Sequence, residues 1–280
     1  MPADEQQLCG GSVLTSLTDS VLTVSLNRPG SHNALTLEQV PVLTGVFDEA
    51  SRRLDVRAVV LRGVGEHFCT GADLRSVGAP VRDGRPAGAP AMSVGEIARM
   101  IRTGWQRLVA AALDCEKPVI AAVRGNVAGG GLPLALACDL IVAAESTRLN
   151  CVFARRGLIP DAGSAYLLPR LIGPQRTKEL AFFADPLPAD EAMRLGLVNR
   201  VTADAALDEE VERWAHRLAQ GPTKAIAFAK QLINRSLESD RSTAFLEESV
   251  MAEMVIGTAD ARGAGKAFAN RTGNHEFRGW

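Results

Sequence analysis

The stretch Pro118–Asp139, PVIAAVRGNVAGGGLPLALACD, constrains this chain more than any other. After Pro118 comes an apolar run, Val119–Val123, that reads as a short buried strand. Arg124-Gly125-Asn126 leads to three consecutive glycines, Gly129, Gly130 and Gly131, and the apolar segment Leu132–Cys138 then reads as a buried helix. Strand, glycine turn and helix start, in that order, leave bare backbone N–H groups at the positive end of a helix dipole. Such a place suits an oxygen that acquires negative charge. The other use of the glycines is mechanical: they let a helix pack closely against a strand.

Bulk properties narrow the classes. With 280 residues, 46% of them hydrophobic, the chain can bury a substantial core as one large domain or a domain with an appendage. A net charge of −1 points away from nucleic acid or an anionic membrane surface as main partner. The start, MPADEQQLCG, is polar and acidic, unlike a secretory signal, and no apolar run approaches a membrane span. Five cysteines (Cys9, Cys69, Cys115, Cys138, Cys151), an odd number without CxxC spacing, read as reduced, mostly buried thiols. A cytoplasmic protein is expected.

Along the chain, Ser12–Leu17 and Val21–Leu26 predict a hairpin, and 27–33 a turn-rich loop. Thr36 is expected to cap a helix running to about Leu54, with Val40, Leu43, Val46 and Phe47 at helical spacing. A strand follows over Arg57–Leu61. Val77–Ala91 holds too many Pro and Gly for a regular element and predicts a mobile surface loop. Ser93–Leu113 predicts one helix, Leu140–Ala143 and Arg148–Val152 short strands, and Pro160-Asp161-Ala162-Gly163 a helix start. After Val201 strands stop, and four helices are expected: Ala203–Gln220, Thr223–Ser239, Ser242–Ile256 and Ala259–Asn270.

Four motifs, in order, resemble those of the crotonase (enoyl-CoA hydratase/isomerase) superfamily. They are Asn27-Arg28-Pro29 with Asn33-Ala34-Leu35, then Phe68-Cys69-Thr70-Gly71-Ala72-Asp73-Leu74, then the glycine run within Asn126–Cys138, then Gly157-Leu158-Ile159-Pro160-Asp161-Ala162-Gly163. The tail around Lys266-Ala267-Phe268 is similar too. The resemblance implies an α/β fold, a crotonase-like spiral of ββα units. Residues 1–202 would form the core with an acyl-CoA site, and 203–280 a helical trimerisation region, giving a homotrimer or a dimer of trimers. It further implies an acyl-CoA thioester as partner, with no metal and no cofactor beyond the coenzyme A carried by the substrate.

A thioester carbonyl that becomes an enolate needs two N–H donors near its oxygen. By the resemblance these are the backbone N–H groups of Ala72 and Gly130, and a short residue at each point lets the backbone approach the ligand. Asp73 is expected to cap the local turn. The same resemblance places Gly30, Ser31, His32, Thr70 and Leu74 around the adenine, and Arg75 near the phosphates. Phe268 and Arg271 would join from the tail or a neighbouring subunit. His67, His216 and His275 take no role.

Members that add water use two glutamates, whose pKa values neighbouring charge and burial push apart. Here those two positions of the acyl site hold Pro133 and Phe153, and neither transfers a proton. One carboxylate remains at a catalytic position of the family, Asp161, where dienoyl-CoA isomerases carry a working aspartate and 4-chlorobenzoyl-CoA dehalogenases their nucleophile. An aspartate there also suits a helix N-cap. Four functions are in view: an enoyl-CoA isomerase with Asp161 as proton carrier, an enoyl-CoA hydratase with atypical residues, an Asp-nucleophile aryl- or acyl-CoA hydrolase, and an acyl-CoA-binding protein without turnover. The dehalogenase's accompanying tryptophan and histidine are missing around Phe153.

Overall fold

Period-two alternation of buried and open residues folds the N-terminal segment into a ladder. Strands β1 (Gln6–Leu8), β2 (Val13–Thr18) and β3 (Val21–Leu26) pair antiparallel, the hairpin turning on Asp19 and Ser20 at φ 48° and 64°. The computed structural model describes residues 5–75, 88, 90, 93–272 and 275–280. Apart from Gly88 and Pro90, the loop expected at Val77–Ala91 lies outside the described residues.

Beyond the ladder come α1 (Gln39–Arg52), β4 (Ala58–Gly63), α2 (Glu96–Thr103), α3 (Trp105–Asp114), β5 (Val119–Val123), β6 (Asn126–Ala128) and α4 (Gly131–Leu136). Next are β7 (Leu140–Ala144), β8 (Arg148–Asn150), α5 (Ser164–Phe183), β9 (Leu187–Pro188), α6 (Ala189–Arg194) and β10 (Arg200–Thr202). The chain ends with α7 (Leu207–Ala219), α8 (Thr223–Arg235), α9 (Arg241–Ile256) and α10 (Ala259–Asn270). One sheet runs β1-β2-β3-β4-β5-β7-β10, parallel from β3 onward; a second runs β6-β8-β9. Successive turns therefore give one strand to each sheet and then a helix: β5, β6, α4 and next β7, β8, α5. This is the crotonase-like spiral.

The central strands are apolar on both faces because both faces are covered. One side packs Val59, Leu61, Ala121 and Val123 into a core with α1 and α3; the other packs Val60, Ile120, Ala122 and Val142 under Leu207, Val211 and Ala215 of α7. Helix α7 thus completes the sheet's covering, although it follows the last strand. No helix among the described residues is long and apolar enough to cross a membrane.

Two sequence expectations are corrected. Thr36 does not cap α1: the helix starts at Gln39 after Glu38, without a side-chain cap, and Gln39 Oε1 instead accepts the Thr36 N–H at 2.9 Å. Ser93–Leu113 is two helices, since Gly104 (φ −101°, ψ −99°) leaves helical geometry between α2 and α3. A Cβ at Gly104 would fall 2.6 Å from Met100 O, so the break needs glycine.

Helix α8 is tied down by an ion pair whose lysine is buried. Lys230 Nζ of α8 donates to Asp139 Oδ2 at 2.8 Å and to the carbonyls of Ala112 and Lys117 at 3.0 and 3.3 Å. Asp139 Oδ2 also accepts the Val119 N–H at 2.7 Å, at the foot of β5. Burial raises the Asp139 pKa while Lys230 opposes the rise. Lys230→Met leaves the partly buried Asp139 carboxylate without its cation and is expected to cost about 1–3 kcal/mol. Urea unfolding at pH 7 and fixed protein concentration measures this, and an unchanged midpoint would mean the pair contributes nothing.

Candidate active site

Two backbone segments meet behind the glycine run. A parallel bridge joins Leu35 to Ala72: Leu35 N–H donates to Gly71 O and Asp73 N–H to Leu35 O, both at 2.8 Å. The bridge uses the groups flanking Ala72, so the Ala72 N–H faces the other way and has no hydrogen-bond partner among the described residues. A second bridge, Cys69 to Val127, seats the same segment on β6. Gly71 has φ 96°, and a Cβ there would fall 2.8 Å from Gly130 N and 3.3 Å from Ala128 O. The peptide ending in Ala72 N therefore lies directly against the glycines.

The three glycines divide their tasks. Gly129 takes φ 54° and donates its N–H to Asn150 O at 3.3 Å. A Cβ at Gly131 would collide with Cys69 O at 2.2 Å, so this glycine serves packing. The Gly130 N–H, at the N-cap of α4, has no partner among the described residues. Packing and exposed donors thus coexist in one run. Two unpartnered N–H groups on abutting backbones can stabilise an oxygen that becomes an anion. Burial pushes the neighbouring Cys69 thiol up to about 12, so it offers no thiolate nucleophile at neutral pH.

Helix α3 ties this spot to the turn that holds Asp161. A Cβ at Gly130 would fall 2.6, 2.7 and 2.8 Å from Cζ3, Cη2 and Cε3 of Trp105. One turn along the same helix, Val109 Cγ1 stands 3.2 Å from the Cβ position of Gly163. Residues four apart on a helix are neighbours on one face, with Cβ atoms roughly 5–6 Å apart. The Asp161-Ala162-Gly163 turn and Gly130 therefore flank adjacent turns of α3. That turn is tight: Ala162 and Gly163 are both left-handed, at φ 52° and 98°, and Ser164 N–H donates to Asp161 O at 2.8 Å. Helix α5 starts only at Ser164, with Gly163 at its N-cap and no side-chain cap, which corrects the reading of Asp161 as the capping residue. Burial raises the Asp161 pKa.

The residues expected around the CoA arm cluster beside the Thr70–Asp73 segment. Gly30 and Ser31 lie in a 3-10 turn, Pro29–Ser31, closed by His32 at φ 50°. Thr70 Oγ1 donates to His32 O at 3.2 Å, and Arg75 Nη2 donates to Ser31 Oγ at 2.9 Å. Asp73 caps the turn as expected, its Oδ1 accepting the Arg75 N–H at 3.1 Å, and it also links these residues. Its carboxylate receives the Arg75 guanidinium at 3.1 Å and Arg28 Nη2 at 2.8 Å. Arg75 first, then Arg28, holds the Asp73 carboxyl well below the usual carboxylate range. Leu74 is exposed beside them. Phe268 and Arg271 end α10, exposed to solvent, so within one copy of the chain neither is packed into the Ala72–Gly130 site.

The sequence profile of the enoyl-CoA hydratase/isomerase family matches residues 16–278. This chain belongs to that enzyme family. The short-chain-enoyl-CoA hydratase of Clostridium acetobutylicum is 32% identical over 93% of this chain and 95% of its own. The human mitochondrial Delta(3,5)-Delta(2,4)-dienoyl-CoA isomerase is 35% identical over 82% of this chain and 70% of its own. The crystal structure of the enoyl-CoA hydratase from Bacillus anthracis superposes with a TM-score of 0.85 at 31% identity, covering 96% of this chain and all of that one.

Relatives in the enoyl-CoA hydratase/isomerase family thus differ in named activity. Pro133 stands in the first turn of α4 and Phe153 in the 3-10 segment Val152–Arg156, both buried. Sequence reading passed over Trp105, Arg28 and the linking role of Asp73. Arg28 and Asp73 sit 45 residues apart, and nothing local marks their pairing. Trp105 had a faint signal: a glycine immediately before a large aromatic inside an otherwise helical run.

Proposed function

We propose that this acyl-CoA enzyme moves a double bond within an enoyl-CoA through a thioester enolate. The observation that carries the reading is the pair of unpartnered N–H groups, Ala72 and Gly130, with the Asp161 turn on the next turn of the same helix. Asp161, as carboxylate, takes the C2 proton of a 3-enoyl-CoA. The C–H electrons form the C1–C2 double bond of the enolate, whose oxygen rests on the two N–H groups. When the carbonyl re-forms, the C2–C3 double bond appears and C4 takes the proton back from Asp161. A single carboxylate suffices because it takes and returns one proton.

The CoA arm is read as lying along Gly30, Ser31, His32, Thr70 and Leu74, with Arg75 at the phosphates. Helix α9 buries none of its residues and exposes Phe245, Leu246, Val250 and Met254 at helical spacing. That surface supports a trimer or dimer of trimers in which Phe268 and Arg271 reach a neighbouring copy's CoA arm. Free cysteines, four of the five buried, fit the reducing cytoplasm.

A second reading, acyl-CoA binding without turnover, draws on Pro133 and Phe153, the two side chains that cannot transfer protons. Assays on 2-enoyl-, 3-enoyl- and dienoyl-CoA panels, with CoA binding measured in parallel, separate the two. Isomerisation is expected, with hydration slower by about a hundredfold or more, since each missing acid–base group typically contributes that much. Fast hydration would show that other side chains supply the pair; binding without any turnover would favour the second reading.

A further inference from the structure

Trp105 has no part in the chemistry just described, yet its ring touches the glycine at the centre of it. The missing Cβ of Gly130 points at three adjacent atoms of the six-membered ring, at 2.6, 2.7 and 2.8 Å. Near-equal distances to three neighbouring ring atoms mean that the point lies over the ring face, not beyond its edge. The indole is therefore seated flat on the Cα of Gly130. Its origin explains why it reaches so far: Trp105 is the first residue of α3, immediately after the break at Gly104, and it packs against the main core while staying half-buried. Four residues on, Val109 touches the turn that carries Asp161.

These contacts fix a path, given the proposed reading of the site on which this inference rests. A thioester oxygen held by Gly130 N–H puts C1 beside the indole, and C2 to C4 must then pass along the Trp105–Val109 face to meet Asp161. We propose that Trp105 sets acyl-group specificity by walling C2: it admits acyl groups flat and unbranched next to the thioester, such as straight conjugated enoyl or dienoyl chains. It rejects those carrying a substituent on C2. A flat ring suits this task, because it offers contact to an sp² chain and has no freedom to retreat with Gly130 behind it.

The test compares kcat/KM for straight-chain 3-enoyl-CoA with that for its 2-methyl analogue in wild type, Trp105→Phe and Trp105→Ala. One methyl group in an apolar pocket is worth roughly ten- to two-hundredfold, so Trp105→Ala should shift the ratio toward the 2-methyl substrate by that order. Trp105→Phe, which keeps a ring on Gly130, should shift it less. Fluorescence gives an independent readout, because the chain has only three tryptophans. Acyl-CoA should change emission in wild type and in Trp214→Phe, whose indole packs against the far face of the sheet, and not in Trp105→Phe. Equal substrate ratios in all three proteins, or an undiminished fluorescence response in Trp105→Phe, would overturn the inference while leaving the isomerase reading intact. If wild type binds acyl-CoA without turnover, the same ratio is read from dissociation constants with the same expectation. A wild type that binds no acyl-CoA overturns both.

Discussion

Asp161→Asn is expected to lower 3-enoyl to 2-enoyl isomerisation by roughly a hundred- to ten-thousandfold, the range that a positioned acid–base group typically supplies. Exchange of the substrate α-proton with solvent deuterium should disappear with turnover, and acyl-CoA affinity should change little. The pH profile adds a second signature. Burial raises the Asp161 pKa, and only the ionised form accepts a proton, so kcat/KM should fall as pH drops through that raised value. Stability runs in the opposite sense. The folded carboxyl keeps its proton to higher pH than the unfolded one, so the charge costs stability once pH rises above the folded pKa. Asn removes the cost, and its melting temperature at pH 7 should equal or exceed that of wild type, the gap closing in acid. Because α5 begins without a side-chain cap, no capping loss should appear in Asp161→Ala either. A fully active Asp161→Asn protein would sink the proton-carrier role. A trapped acyl mass on the wild-type peptide containing it would instead make it a nucleophile.

Gly71→Ala should be comparably damaging, although the residue touches no proposed reacting atom. Its φ of 96° lies where an L-residue is strained, and the new methyl would stand 2.8 Å from Gly130 N. The only escape is to separate the two segments, which parts the Ala72 and Gly130 donors. Loss of one such donor typically costs about a hundred- to a thousandfold in kcat. Circular dichroism and the melting curve report whether the fold survives. Hydrogen exchange in the presence of an acyl-CoA then reports the site: protection of the segments around Ala72 and Gly130, expected in wild type, should be lost in the variant. A folded, active Gly71→Ala protein would remove the two-donor account.

Regular elements were legible where local pattern dictates them. Val119–Val123 and Val21–Leu26 lie in the structure as read, because apolar runs and alternation survive without tertiary help. The last three helices begin and end within a few residues of expectation for the same reason. Two short elements were not legible: β6 and β9 span three and two residues, too few for any period. They exist only because the spiral brings them beside β8, itself expected as Arg148–Val152 and ending at Asn150. Helix ends failed at Gln39, whose side chain takes the Thr36 N–H and donates to Ser12 O of the hairpin, and at Gly104, where the backbone leaves helical geometry. The site divides likewise. Ala72 and Gly130 were reached through motifs, but the reason the Ala72 N–H has no partner among the described residues lies in a bridge to Leu35 that no local pattern announces. Trp105 lies 25 positions from the glycine it covers, and only the folded chain shows the contact.

That contact also limits how this lineage can change. With an indole face where its Cβ would be, Gly130 cannot take up any side chain while Trp105 remains. The two positions are energetically coupled, so their substitutions will not be additive. A smaller residue at 105 has to come first, and only afterwards does position 130 become open to variation. The order of the steps is therefore built into the geometry, and a drifting descendant would be expected to widen its substrate range before it could alter its donors.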